Sequence, residues 1–219
     1  MGRARPRLSI ALAAVLTAAA GAVAQAAGTG TAPLARFLGG LHSFKASFSQ
    51  TVTGAHGRVV SQATGEVIVL RPGRFRWEVH SAGESGDGQL LVADGRNLWY
   101  YDSGLQQVTV RPEASALTAT PAMLLSGGAG ALSAFDVTGA GTSKGLDWVR
   151  VVPKAADADF KEALLGFSGR ALERMVLEDK LGQTATLGFT HAKRNVPVAT
   201  SEVSFTAPHG ADVIGTPVK

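Results

Sequence analysis

The chain has 219 residues, 45% hydrophobic and 17% charged, a balance that excludes disorder throughout and suits one domain or two small ones. It holds no cysteine, which excludes a disulfide framework, a thiolate metal site, a cysteine nucleophile and a lipid anchor on cysteine. The net charge of +4 invites a nucleic-acid partner only until the basic residues are located.

Arg3, Arg5 and Arg7 precede a nearly unbroken apolar run over residues 8–20. Ala22-Val23-Ala24 and Ala24-Gln25-Ala26 each offer a small-x-small cleavage pattern. Residues 1–26 therefore read as a secretory signal peptide, cut after Ala24 or Ala26, and residues 27–219 as a single exported, soluble domain. The apolar run is too short for a comfortable membrane span. Without those three of its 21 basic residues the domain carries 18 bases against 17 acids. A charge of +1 gives no electrostatic reason to expect nucleic acid as a partner.

The exported part opens with a helical pattern. Leu34, Phe37, Leu38 and Leu41 recur at i, i+3, i+4 and i+7, which predicts an amphipathic helix over residues 31–41, capped by Thr31 and weakened at Gly39-Gly40. From Phe44 the period falls to two. Residues 44–49 alternate apolar and polar, as a half-buried strand does. A second strand over 66–70 stops at Arg71-Pro72-Gly73. Phe75, Trp77 and Val79 then alternate with Arg74, Arg76 and Glu78. Strands follow over 90–93, 98–101 and 106–110, the first pair joined by the hairpin signal Asp94-Gly95. The Ala- and Leu-rich stretch 113–125 contains Pro121 and predicts two short helical pieces. Residues 126–131 form a Gly-rich stretch. Strands resume over 148–152, 163–167, 172–177, 184–190 and 203–205, with a turn at Leu181-Gly182. Strands at this spacing indicate a large antiparallel sheet or barrel.

The five histidines form no metal-binding pair, and Gly83-Glu84-Ser85-Gly86-Asp87 lacks the closing glycine of a nucleophile elbow. Asp157 and Asp159 read as acids of a solvated turn. No catalytic residue, metal or cofactor is expected.

Four segments in order resemble the LolA family of periplasmic outer-membrane lipoprotein carriers. They are Ser43-Phe44-Lys45-Ala46-Ser47-Phe48-Ser49-Gln50; Gly65 followed by Arg71-Pro72-Gly73-Arg74-Phe75-Arg76-Trp77; Asp94-Gly95-Arg96-Asn97-Leu98-Trp99-Tyr100-Tyr101-Asp102; and Thr120-Pro121-Ala122-Met123-Leu124-Leu125. Phe205-Thr206-Ala207-Pro208-x-Gly210 extends the likeness toward the C-terminus. A longer Gly/Ser-rich turn over 81–88 departs from the family pattern. The resemblance implies a mainly β fold with a few helices, an incomplete (half-open) antiparallel β-barrel closed by an α-helical lid. It implies a monomeric periplasmic carrier rather than an enzyme. Cargo would come from a lipoprotein-releasing ABC transporter of the inner membrane and pass to a receptor lipoprotein of the outer membrane. That receptor is anchored through a cysteine, so a chain without cysteine fits the carrier. On the residues alone an exported cell-envelope hydrolase, or a β-sheet adaptor with an apolar binding face, stays open.

Burying each methylene is worth about 0.8 kcal/mol. A chain of roughly fifteen of them therefore needs a dry concave surface worth about 12 kcal/mol. Leu34, Phe37, Leu38, Phe75, Trp77, Trp99, Met123, Leu124 and Leu125 are the candidates for that cavity and its lid, although each would serve equally as ordinary core. Arg71, by itself a charge on a barrel rim, is by resemblance a latch that donates to the backbone carbonyls of Leu38, Leu125 and Ser126.

Overall fold

A computed structural model of the chain describes residues 30–82, 88–113, 121–127, 131–156, 158 and 160–218. Residues 1–26, read above as a signal peptide, the middle of the 81–88 stretch, the first of the two expected helical pieces and both Asp157 and Asp159 lie outside the described residues.

Helix α1 (Ala32–Leu38) carries Pro33 in its first turn and buries Leu34 and Phe37. It is shorter than its hydrophobic spacing suggests. Gly39 leaves helical geometry while its N–H donates to Ala35 O at 2.8 Å, and Gly40 turns to φ +64°. A left-handed residue there ends the helix at little cost only because it is glycine. Thr31 stands at the N-cap position but its side chain makes no capping bond. Leu41 is buried all the same, beyond the helix.

The strands are β1 (Ser43–Thr53), β2 (Val59–Leu70), β3 (Arg74–Ser81), β4 (Gly88–Asp94), β5 (Asn97–Asp102) and β6 (Gln107–Pro112). A short helix, α2 (Pro121–Ser126), and a 3₁₀ turn at Ala131–Ala134 then interrupt the sheet. It resumes with β7 (Phe135–Ser143), β8 (Leu146–Pro153), β9 (Glu162–Ser168), β10 (Ala171–Glu178) and β11 (Thr184–Arg194), and ends with β12 (Asp212–Ile214). All belong to one 12-stranded sheet in the order β12-β6-β5-β4-β3-β2-β1-β11-β10-β9-β8-β7. Every pairing is antiparallel except β12 with β6.

Register decides which residues face inward. Phe44 lies opposite Val69, Val69 opposite Phe75, Phe75 opposite Ala93 and Ala93 opposite Leu98. In the other half, Leu187 lies opposite Met175, Met175 opposite Leu165 and Leu165 opposite Val149. These rows belong to one core. The sheet must curl to bring them together. The Phe37 ring of α1 meets Phe44 of β1 at 5.4 Å and Phe167 of β9 at 5.7 Å, strands three places apart in the sheet. The outcome is an open, curled antiparallel barrel wrapped around α1 and α2.

Three elements differ from the reading of the sequence. The apolar pair Val203 and Phe205 is not in a strand. Residues Thr200–Val203 form a 3₁₀ turn on the outer face, where Val203 is fully buried and Phe205 packs on Trp99 and Tyr101. The i, i+2 spacing reflects docking on a sheet rather than membership of one. Strand β7 has the sequence Phe-Asp-Val-Thr-Gly-Ala-Gly-Thr-Ser and is mostly solvated. An edge strand of that kind has little apolar alternation to display. β12 is only three exposed residues held by the edge of β6.

Candidate functional site

The inner wall is aromatic at its centre. Phe48 and Trp77 lie 5.1 Å apart, Phe189 stands 6.2 Å from Phe48 and 6.4 Å from Trp77, and Phe44 completes the cluster 6.5 Å from Phe189. Phe48 can lie flat on the wall because Gly65 is opposite it. A Cβ at Gly65 would sit 2.4 Å from the Phe48 ring and 2.1 Å from Glu78 O. Around this cluster the wall is not sealed. Leu38, Trp77, Val79, Leu91, Leu177 and Ala185 pack on the core but are only partly buried. A continuous apolar surface that solvent still reaches differs from a finished core, where such side chains are fully enclosed.

Leu34, Phe37, Phe75, Leu124 and Leu125 are fully enclosed, and Leu38 and Trp77 half so. The structure thus brings seven of the nine candidates into one inner surface. Trp99 is a correction. It lies opposite Val92 on the outer face, its ring 5.5 Å from Phe205, and its Nε1–H donates to Asp94 Oδ2 at 2.7 Å. Its strand neighbour Leu98 is the one that turns inward. The Met123 side chain lies outside the described residues. Phe44, Phe48, Phe167 and Phe189 were missed as wall residues. The signal for them was the alternation of their strands, which marks a face without saying which face is concave.

Helices α1 and α2 close the wall, and the β2–β3 turn touches both. Arg71 Nη1 donates to Leu38 O at 3.2 Å, its Nη2 donates to Gly127 O, and its backbone N–H donates to His42 O at 2.8 Å. Gly73 N–H donates to Ser126 O at 2.9 Å. The carbonyl at Leu38 is therefore the one named above. At α2 the guanidinium bond goes to Gly127 rather than to Leu125 or Ser126, and Ser126 O accepts from Gly73 N–H of the same turn. No described ion pair uses Arg71, and burial draws its pKa below the usual value for arginine. A planar fork with five donors and no carboxylate beside it suits bridging two carbonyls of different segments.

Two acids lie behind this turn. Burial alone would raise the pKa of Asp94, but hydrogen bonds from Trp99, Asn97 and Arg96 outweigh it and hold the carboxyl below its ordinary value. Glu113 is pushed the other way, chiefly by burial and further by Asp94, against the Gly95 N–H and Arg74. Its Oε2 is buried with no hydrogen-bond partner among the described residues, and a Cβ at Gly73 would stand 3.0 Å from Oε1. No group of three His, Cys, Asp or Glu able to hold a metal is present among the described residues. None of their helices is long and apolar enough to cross a membrane.

The family model "Outer membrane lipoprotein carrier protein LolA" matches residues 39–206. The chain belongs to the LolA family. An outer-membrane lipoprotein carrier protein of Dechloromonas aromatica is 41% identical over 179 residues, which are 82% of this chain and 84% of that one. Another of Methylobacillus flagellatus is 39% identical over 186 residues, 85% and 89% of the two chains. Among solved structures, a LolA superfamily protein of Nitrosomonas europaea covers 80% of this chain and 97% of its own, at 14% identity and a TM-score of 0.44. Within this LolA-family barrel, β1 to β3 and α2, which carry the inner wall and the Arg71 turn, all lie inside the matched region.

Proposed function

We propose that the protein is a periplasmic carrier of lipoproteins that holds their acyl chains against the inner wall of the barrel and works by binding without turnover. One observation supports this most directly. The apolar wall around Trp77 is continuous with the core yet only partly covered, and two short helices close it through hydrogen bonds to a single arginine turn. Acyl methylenes against such a wall gain the same transfer energy as core side chains. The half-buried rim leaves room for them to enter and leave. Residues 1–26 direct export and are removed. The loaded carrier is a monomer that takes cargo from an inner-membrane ABC transporter and yields it to an outer-membrane receptor lipoprotein. Leu38 and Trp77 line the cavity, Leu34, Phe37, Phe75, Leu124 and Leu125, with Met123, back it and build its lid, and Arg71 is the latch.

The three tryptophans of the chain give a direct test. Trp77 faces inward, while Trp99 and Trp148 face outward. A fatty acid brominated on its chain should quench the wild-type emission saturably. Trp99→Phe and Trp148→Phe should retain the quenching, and Trp77→Phe should lose most of it. Equal quenching of all three variants would show that the acyl chain binds elsewhere.

A further inference from the structure

The two lid helices are not held alike. Leaving α1, four consecutive carbonyls are each taken by a side chain of the barrel. Arg194, the last residue of β11, donates through Nη2 to Phe37 O at 2.7 Å and to Gly39 O at 3.0 Å. Arg71 takes Leu38 O, and Asn195 Nδ2 takes Gly40 O at 2.8 Å. The Arg194 guanidinium also lies 5.7 Å over the Phe37 ring. Asn195 continues the grip on the start of β1. Its Oδ1 accepts from His42 N–H at 2.8 Å and Ser43 N–H at 3.4 Å, and its own N–H donates to Ser43 O at 2.8 Å. It adopts φ +56°, a conformation asparagine tolerates better than most residues.

Removing Arg71 from this set would free only Leu38 O, and Leu38 O would still accept from Leu41 N–H at 3.1 Å. The end of α2, by contrast, is tied to the β2–β3 turn through Arg71 and Gly73. Arg194 is built for a fixed contact. Its Nε is buried with no hydrogen-bond partner among the described residues, a cost that is tolerated where the remainder of the group is held. No described ion pair draws it away, and it stands at the end of β11 directly opposite Phe44 of β1.

We propose that Arg194 and Asn195 form a permanent clamp that keeps α1 docked in the barrel, so that opening is one-sided and α2 alone swings away with the release of Arg71. This rests on the carrier reading above and adds a division of labour to it. α1 becomes a fixed part of the binding wall, presenting Leu38 to the cargo in both states. Lipid enters on the side of β2 and β3, where α2 packs. Arg194 is then a positioning residue, and its loss slackens the wall without favouring either the open or the closed lid.

Hydrogen exchange read by mass spectrometry separates the two helices. The protein is compared empty and saturated with a synthetic triacylated lipopeptide brominated on its acyl chains, saturation being followed independently by quenching of Trp77. On loading, peptides covering 34–41 should keep their exchange rates within about twofold, while those covering 121–127 should exchange about tenfold faster. In the empty protein, Arg194→Lys and Asn195→Gly should each speed exchange at 34–41 by about tenfold and leave 121–127 unchanged. Arg71→Leu should do the reverse. Lysine keeps the charge without the fork, and glycine keeps the left-handed backbone, so both variants should fold. The clamp is refuted if loading speeds 34–41 as much as 121–127, or if the Arg194 and Asn195 variants leave 34–41 unchanged. Failure of the lipopeptide to quench Trp77 would instead count against the carrier reading, and the empty-state comparison would still judge the clamp.

Discussion

Replacing Arg71 by Leu removes both guanidinium bonds, to Leu38 O and to Gly127 O, and leaves the backbone bond from residue 71 to His42 O in place. A hydrogen bond to a charged group is worth about 1.5–3 kcal/mol. Arg71 is only partly buried, so the lower end applies, about 3 kcal/mol for the pair. On the proposed latch reading these bonds stabilise the closed, empty lid alone, both being released when α2 swings away. Their loss shifts the closed–open balance toward open by roughly a hundredfold. Apparent affinity for an acyl chain rises by the same factor, up to the point where the open form already predominates. Loading of Arg71→Leu should therefore be normal or tighter, and transfer to an acceptor slower, because release no longer regains the latch. Arg71→Lys should fall between, since an ammonium cannot span the two carbonyls as the fork does. The assay is stopped-flow release of a fluorescent acyl ligand, together with transfer of bound lipopeptide to the receptor lipoprotein. Affinity and release rate within about twofold of wild type would show that Arg71 is a rim charge and that the lid is held by other contacts.

Further outcomes follow from the same geometry. Phe75 is completely buried between Val69 and Ala93, so Phe75→Glu should abolish folding rather than merely lipid binding, and Phe75→Ala should cost about 3–5 kcal/mol in urea unfolding. A selective loss of acyl affinity with full stability would place Phe75 at the cavity surface. Gly65→Ala should destabilise by about 1–3 kcal/mol through the clash of its Cβ with Glu78 O and the Phe48 ring, and a denaturation midpoint equal to wild type would refute that. Glu113 has a folded pKa above its ordinary 4.5, so the folded state binds its proton more tightly and stability falls as pH rises from that value through the higher one. Glu113→Gln should accordingly raise Tm at neutral pH and change little at pH 4, and a lowered Tm at neutral pH would oppose this. Asp94 has a folded pKa below its ordinary 3.8, so its contribution is present above that pH and lost as pH falls through the lower value. Asp94→Asn should lower Tm at pH 7, with the gap to wild type closing in acid.

The local pattern of residues determined most of the strands, the opening helix and the break between the two halves of the sheet. Phe75-Arg76-Trp77-Glu78-Val79 can bury one face only as a strand, and Gly39-Gly40 ends α1 whatever surrounds it, because backbone geometry is a property of the few residues involved. The order of four family-like segments was likewise legible, and with it the barrel and its apolar lining. Other features were decided by tertiary structure alone. Residues 98–101 show two apolar faces, and Trp99 lies outside only because Phe205, more than a hundred residues away, supplies the surface that covers it. Val203 imitates a strand for the same reason. Arg194 and Asn195 look like a polar end to β11, and their grip on α1 exists because the curled sheet carries that end beside residues 37–40. Gly127 rather than Ser126 receives the Arg71 guanidinium, a choice set by where the end of α2 lies over the β2–β3 turn. Period and propensity report that two faces of a segment differ. Which face becomes the interior depends on what distant chain arrives to cover it, since burial is a relation between surfaces and not a property of either one.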